Sequence, residues 1–183
     1  MTRIADLLFE VRMLKDLNRS GYAFLGAGRE SVAEHSFTTA FICLTMARLD
    51  PGVDGERLMA MALVHDIPEA RTNDMNYVNK RYNRVDEAGA VADMTGELAF
   101  GKDIRDLIDE FNRGETREAR LANDADQLSF VLELKKLKDT GATSPEKWLP
   151  FVTGRLKTDI GKQMARDILD TRWDNWWTRD YSE

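Results

Sequence analysis

Along most of the chain, apolar residues recur every three or four positions, and no stretch alternates in the manner of a half-buried strand. The first helix is predicted from about Ile4 to Leu17, with Leu7, Leu8, Val11, Leu14 and Leu17 on one face. A glycine-rich connector follows, N-R-S-G-Y-A-F-L-G-A-G-R-E. Ser31 to Glu34, S-V-A-E, has the capping-box form and opens a second helix to about Leu49. After the turn D-P-G-V-D-G, Asp54 caps a third helix ending near Asp66. A fourth is predicted over Tyr77 to Leu98 and a fifth over Asp103 to Asn112, stopped by Arg113-Gly114. The sixth, Glu115 to Lys138, is long and apolar through its middle. Ser144-Pro145-Glu146 starts another, since proline suits the first helical position, and a last helix runs from Thr158 to about Trp177. No repeat or linker divides the chain. The expectation is an all-α, single-domain helical bundle spanning 1–183.

Composition narrows the class. With 43% hydrophobic and 32% charged residues in 183, the chain can bury a core and does not read as disordered. No apolar run reaches the roughly 18 residues of a membrane span. The charged N-terminal stretch reads as an amphipathic helix and not as a signal peptide. Cys43 is the single cysteine, among Phe41, Ile42 and Leu44, so it reads as a buried hydrophobe in a cytoplasmic protein. A net charge of −6 opposes nucleic-acid binding but not capture of a small anion in a local cationic pocket.

The chemistry concentrates in A-L-V-H-D-I-P-E-A-R-T-N-D, Ala62 to Asp74. There an apolar helix ends in adjacent ionisable residues, His65 and Asp66, which are costly unless something pairs with them. The only other histidine, His35, follows Glu34 in the first turn of the second helix. Two imidazoles with carboxylates suit a divalent cation. The spacing excludes the His-Glu-x-x-His protease helix, and one cysteine excludes a zinc finger. Asp124 and Asp126 of A-N-D-A-D-Q-L both qualify as a further ligand, and helix faces do not separate them: Asp124 aligns with Leu121, Leu128 and Val131, Asp126 with Phe130 and Leu134. Trp173, Trp176 and Trp177 recur at helical spacing and read as a core or subunit-contact stripe, and Met59, Met61 and Met75 as packing.

His-x(29)-His-Asp with a later aspartate in a long helix resembles the HD-domain metal-dependent phosphohydrolases. N-R-S-G-Y, S-V-A-E-H-S, H-D-I-P-E-A-R-T-N-D and A-N-D-A-D-Q-L, from Leu17 to about Leu128, are similar to the bacterial 5′-deoxynucleotidase branch and its archaeal and eukaryotic relatives. The resemblance implies a metal-site core over about 17–130, with C-terminal helices over 144–178 packed on it. It implies one divalent ion (Mn, Co, Mg, Zn, Fe or Ni) held by His35, His65, Asp66 and, from the A-D-x-L pattern, Asp126. Asp124 is then a surface or capping residue. Glu69, in H-D-x-x-E, is implied to position or deprotonate the attacking water, and Asp74 to contact the sugar or complete the water network. Arg19 is implied to bind phosphate, with Ser20, Asp66, Asp74, Asn76 and Tyr77 facing substrate. The sequence departs from the pattern in three places, one being the M-N-Y after Asp74, where the family tends to include a proline. Ser20 stands where the bacterial enzymes carry tryptophan, so deoxyribose selectivity does not transfer. Asn73 stands for the glycine of T-G-D, which asparagine replaces because it tolerates a left-handed backbone.

The implied function is hydrolysis of nucleoside 5′-monophosphates by a cytoplasmic homodimer. The alternatives are action on another phosphorylated nucleotide and a non-catalytic nucleotide-binding scaffold.

Overall fold

The computed structural model describes residues 2–179; residues 1 and 180–183, which the expected 1–183 domain includes, lie outside the described residues. Among those described, the chain is helical with no strand, and its one β-bridge joins Asn18 to Ser31. The helices are α1 Thr2–Met13, α2 Tyr22–Leu25, α3 Val32–Leu49, α4 Gly55–Val64, α5 Glu69–Thr72 and α6 Tyr77–Tyr82. There follow α7 Glu87–Thr95, α8 Gly101–Arg113, α9 Arg117–Asp139, α10 Pro145–Thr153, α11 Asp159–Asp170 and α12 Asn175–Thr178. The all-α expectation holds.

At the centre α3, α4 and α9 pack on one another. Met46, Leu58, Met61, Leu121 and Leu128 between them are almost wholly excluded from water. Burying each such side chain contributes roughly 1.5–3 kcal/mol. A second cluster, Leu7, Leu14, Val32, Ile67 and Met94, ties α1 and α7 to the same framework. A third joins Tyr22 and Leu25 to Val131, Leu134, Leu149 and Val152, seating α2 and α10 on α9.

Several sequence-predicted elements are corrected. The first helix stops at Met13, and Leu14 to Asp16 turn through i→i+3 bonds. Leu7 and Leu14 are buried while Leu8 and Val11 face out, so the predicted apolar face is narrower. The predicted Tyr77–Leu98 helix divides into α6 and α7. Between them Asn83 is extended, and the side chain of Asp86 accepts from Gly89 N at 2.8 Å and restarts the helix. Tyr82 and Val85 are exposed, so no burial holds the chain helical there. The predicted Thr158–Trp177 helix ends at Asp170, where Thr171 is extended and Asp139 Oδ2 takes the backbone N–H of Trp173 at 3.0 Å. The short helices α2 and α5 lie in stretches read as connectors.

Candidate metal centre and active site

Three elements bring the candidate metal-ligating side chains together. The capping box is formed: Ser31 Oγ accepts from Glu34 N at 3.2 Å, and Glu34 Oε2 accepts from Ser31 N at 2.6 Å. This fixes the start of α3 and the buried His35 one turn in. Ser129 Oγ of α9 lies 3.1 Å from His35 Nδ1 and sets its ring. His65 is the C-cap of α4, its Nδ1 2.8 Å from Ala62 O. Since a carbonyl only accepts, Nδ1 carries the proton of the neutral ring and Nε2 presents a lone pair. Both Nε2 atoms are buried without a hydrogen-bond partner.

Carboxylates lie opposite them. His35 Nε2 is 3.0 Å from Asp126 Oδ1 and 3.7 Å from Asp66 Oδ2, and His65 Nε2 is 3.1 Å from Asp66 Oδ2. Ligand atoms of His35, His65 and Asp126 fall within 4.8 Å of one another. Convergent, unpaired imidazole nitrogens with carboxylate oxygens beside them suit a divalent cation.

Asp124 departs from the surface role expected of it. Its buried carboxylate faces away from the histidines and accepts from Lys157 N, Thr158 N (both 2.8 Å) and Thr158 Oγ1 (2.7 Å). It anchors the start of α11, whereas Asp126 Oδ1 lies 3.0 Å from His35 Nε2.

The electrostatics follow from crowding. For His65, burial disfavours the charged ring, but the adjacent Asp66 outweighs it and raises the pKa to about 9. His35 is held below the ordinary histidine range by burial and by Arg19. Burial opposes ionisation of Asp66 and Asp126, yet the histidine beside each keeps its pKa below the usual carboxylate range. At Glu69 the lowering effects of Arg19 and His65 are outweighed. Burial and the charges of Asp66 and Asp74 push it to about 9. It opens α5 and, with His65, Asp66 and Asp126, lines a cleft of about 220 Å³ that Lys80 and Phe111 also border.

Beside the cluster lies the connector. The Arg19 guanidinium is 5.9 Å over the Phe130 ring, its Nε is 3.8 Å from Glu30 Oε2, and its buried Nη1 has no hydrogen-bond partner. Asp74 accepts a short hydrogen bond from Ser20 N, and Asn76 Nδ2 donates to Ser20 Oγ at 3.2 Å. Asn76 Oδ1 also caps α6 through Val78 N and Asn79 N. Tyr77 is 64% exposed and points beyond this network. Asn73 departs from the left-handed turn expected of it, with φ 62° and ψ 156°, and is the single non-glycine with positive φ among the described residues. That region is nearly reserved for glycine, so it stores strain of about 1–3 kcal/mol.

Sequence reading missed Glu30 and Ser129. Glu30 is buried, accepts from Tyr22 Oη at 3.2 Å, and is pushed to about 7 by burial against the lowering effect of Arg19. Only the Asn18–Ser31 bridge, with Arg19 N donating to Glu30 O at 2.8 Å, brings it to the arginine, and no spacing rule signals such a bridge. Ser129 follows Asp126 at i+3, a face relation visible in the sequence once Asp126 is chosen.

The family profile of the HD domain matches residues 11–168. The 5′-deoxynucleotidase HDDC2 of Danio rerio is 30% identical over 185 residues, covering 92% of this chain and 91% of that protein. The 5′-deoxynucleotidase hdd1 of Schizosaccharomyces pombe is 28% identical over 89% of this chain and 87% of its own. A crystal structure of the PH0347 protein from Pyrococcus horikoshii superposes with a TM-score of 0.73 at 27% identity, over 90% of this chain and 98% of that one. With the profile spanning most of its length and the His-Asp cluster at its centre, this chain belongs to the HD-domain family.

Proposed function

We propose that this protein is a metal-dependent phosphomonoester hydrolase that releases phosphate from nucleoside 5′-monophosphates. One observation carries the reading: two buried imidazole Nε2 atoms without hydrogen-bond partners converge with Asp66 and Asp126 beside an arginine whose Nη1 is also unpaired. The 5′-deoxynucleotidase names of two relatives support a nucleotide substrate.

His35, His65, Asp66 and Asp126 would hold a single divalent ion, a donor set that does not select among Mn, Co, Mg, Zn, Fe and Ni. Bound there, the ion supplies positive charge that lowers the pKa of water and offsets charge on phosphoryl oxygens. Arg19 directs its unpaired guanidinium edge to those oxygens, a geometry that a planar fork suits. Glu69 would take the proton of the attacking water on an ionised carboxylate oxygen, because a cation held beside Asp66 offsets the negative charge that raises its pKa in the metal-free protein. Asp74, tethered to Ser20, and Asn76 face the sugar. A single 1–183 domain acting as a cytoplasmic homodimer without nucleic acid completes the proposal. Net charge −6 supports the last point, and Phe37 and Phe41, exposed one turn apart on α3, offer apolar surface to a second copy. No helix among the described residues is long and apolar enough to cross a membrane.

The test is phosphate release from a panel of ribo- and deoxyribonucleoside monophosphates, with each metal restored in turn to stripped protein. Asp66→Ala and Glu69→Gln are each expected to lose about 100-fold or more in kcat. Equal turnover in wild type and both variants would end the reading. Nucleotide binding without turnover under every metal would favour a scaffold.

A further inference from the structure

Four aromatic rings lead away from the charged cluster, and the chemistry assigned above uses none of them for stacking. Phe130 lies one helical turn after Asp126 on α9, under the Arg19 guanidinium. Trp148 of α10 meets Phe130 edge-on, with centroids 6.0 Å apart and planes at 87°. Tyr77 of α6 meets Trp148 at 6.2 Å and 66°, and Phe24 of α2 meets Tyr77 at 5.5 Å and 41°. The inner pair packs on the core beside Leu149 and Val152. Core packing does not explain the outer pair: Tyr77 is 64% exposed and Phe24 is 43% exposed.

Single exposed aromatics are ordinary, but a contiguous run that starts at a phosphate-binding arginine is not. The outer rings are also held in place. Tyr77 follows Asn76, whose amide is bonded to Ser20, and Ser20 in turn holds Asp74. Contacts run from Arg19, whose charge acts on Asp126 and Asp66, to its neighbour Ser20 with Asp74 and Asn76, and from Asn76 to the adjoining Tyr77 with Trp148 and Phe24. Phosphate, sugar and base follow the same order in a nucleoside monophosphate.

The direction of attack supports this side of the site. Displacement at phosphorus places nucleophile and leaving group on opposite sides. Glu69 lines the cleft with Lys80 and Phe111, and none of the four rings borders it. Water activated from that cleft sends the nucleoside away from it.

We propose that Tyr77, Trp148 and Phe24 form a nucleobase subsite that binds the base by its face. The proposal rests on the nucleotidase reading and extends it. Stacking accepts every base, because each has a π-face, and larger rings gain more. Purine monophosphates are therefore expected to show lower KM than pyrimidine ones.

The experiment compares deoxyadenosine 5′-monophosphate with base-free 2-deoxyribose 5-phosphate in the metal-loaded protein. The read quantity is the ratio of their kcat/KM values. In Tyr77→Ala that ratio is expected to fall roughly tenfold, through KM for the nucleotide, while Tyr77→Phe keeps it. A ratio unchanged in Tyr77→Ala overturns the subsite. Should wild type hydrolyse neither compound, the nucleotidase reading fails and binding decides the subsite separately. Saturable quenching of tryptophan fluorescence by deoxyadenosine monophosphate, lost in Trp148→Phe and weakened about tenfold in Tyr77→Ala, supports it. Absent quenching, or quenching equal in Tyr77→Ala, overturns it.

Discussion

Asp124 and Asp126 stand two residues apart on α9, and exchanging each carboxylate for an amide separates their roles. Asp124 is buried and accepts from two backbone N–H groups and one hydroxyl at 2.7–2.8 Å. Hydrogen bonds to a charged acceptor contribute about 1.5–3 kcal/mol each, and three on one carboxylate are not additive. In Asp124→Asn an NH2 group faces at least one donor, so the loss is about 3 kcal/mol. For a chain of this length that corresponds to a fall in Tm of roughly 6–12 °C. The acceptor also packs closely against Gly161, where a Cβ would collide with Asp124 Oδ2. Asp126 differs. Asp126→Asn also removes a carboxylate that its histidine and arginine neighbours hold ionised, so some metal-free stability goes with it, but that is not what sets the variant apart. What does is the loss of the ion. Ligand at about 100 times Kd stabilises a protein by about 2.7 kcal/mol, and that increment should persist in Asp124→Asn and vanish in Asp126→Asn. Thermal unfolding of both variants, stripped of metal and then reloaded, reads all four values. Metal-dependent stabilisation in Asp126→Asn, or wild-type stability in Asp124→Asn, would refute the assignment.

Three further outcomes follow from the same geometry. Asn73→Gly removes the positive-φ strain at the turn before Asp74 and should stabilise the protein by about 1 kcal/mol after glycine's greater chain entropy is deducted; an unchanged or lowered urea midpoint would contradict this. Glu30 rises from 4.5 to about 7 on folding, so the folded state binds the extra proton. Its contribution is present at low pH and lost as pH climbs through that window, by roughly 3 kcal/mol. Relative to wild type, Glu30→Gln should gain about that much between pH 4 and pH 8 in chemical unfolding of metal-free protein, and a pH-independent difference would exclude the shift. His65, raised to about 9 beside Asp66, must shed a proton to ligate, so metal affinity should strengthen about tenfold per pH unit below that value. Calorimetry in buffers of different ionisation enthalpy reads the released proton, and a flat affinity would refute the coupling.

The helices that hold the site were legible where side chains signal their own ends. Ser31 with Glu34, Asp54, and Gly114 at φ 61° start or stop α3, α4 and α8 as their residue types predict. Residues 77–98 and 158–177 misled because their apolar spacing continues through breaks set by competing partners, Asp86 in one case and Asp139 in the other. Periodicity records which positions are apolar and not whether anything lies opposite them. Leu8, with apolar neighbours on its own helix and solvent outside, is the plainest instance. The pair His65-Asp66 was visible as an unpaid polar pair. Glu30 was not, because its burial is created by a backbone bridge between residues that look like loop.

That bridge also bears on the phosphate-binding role proposed for Arg19. The N-terminus of an α-helix is a ready anion site, with unsatisfied N–H groups and a favourable dipole. α3 begins one turn before His35 and so stands where a phosphate would profit from it. Its donors are already consumed. Leu17 O takes Val32 N at 2.9 Å, Leu14 O takes Ala33 N at 3.1 Å, and Ser31 Oγ takes Glu34 N. The capping box and the docked connector that place His35 therefore remove the backbone anion site beside it. Negative charge approaching Asp66, Asp126, Glu69 and Asp74 needs another counterpart, and Arg19 is the cation that the same connector delivers with Nη1 unpaired. Arg19→Lys keeps the charge but not the fork, so phosphate affinity should fall even though net charge is conserved.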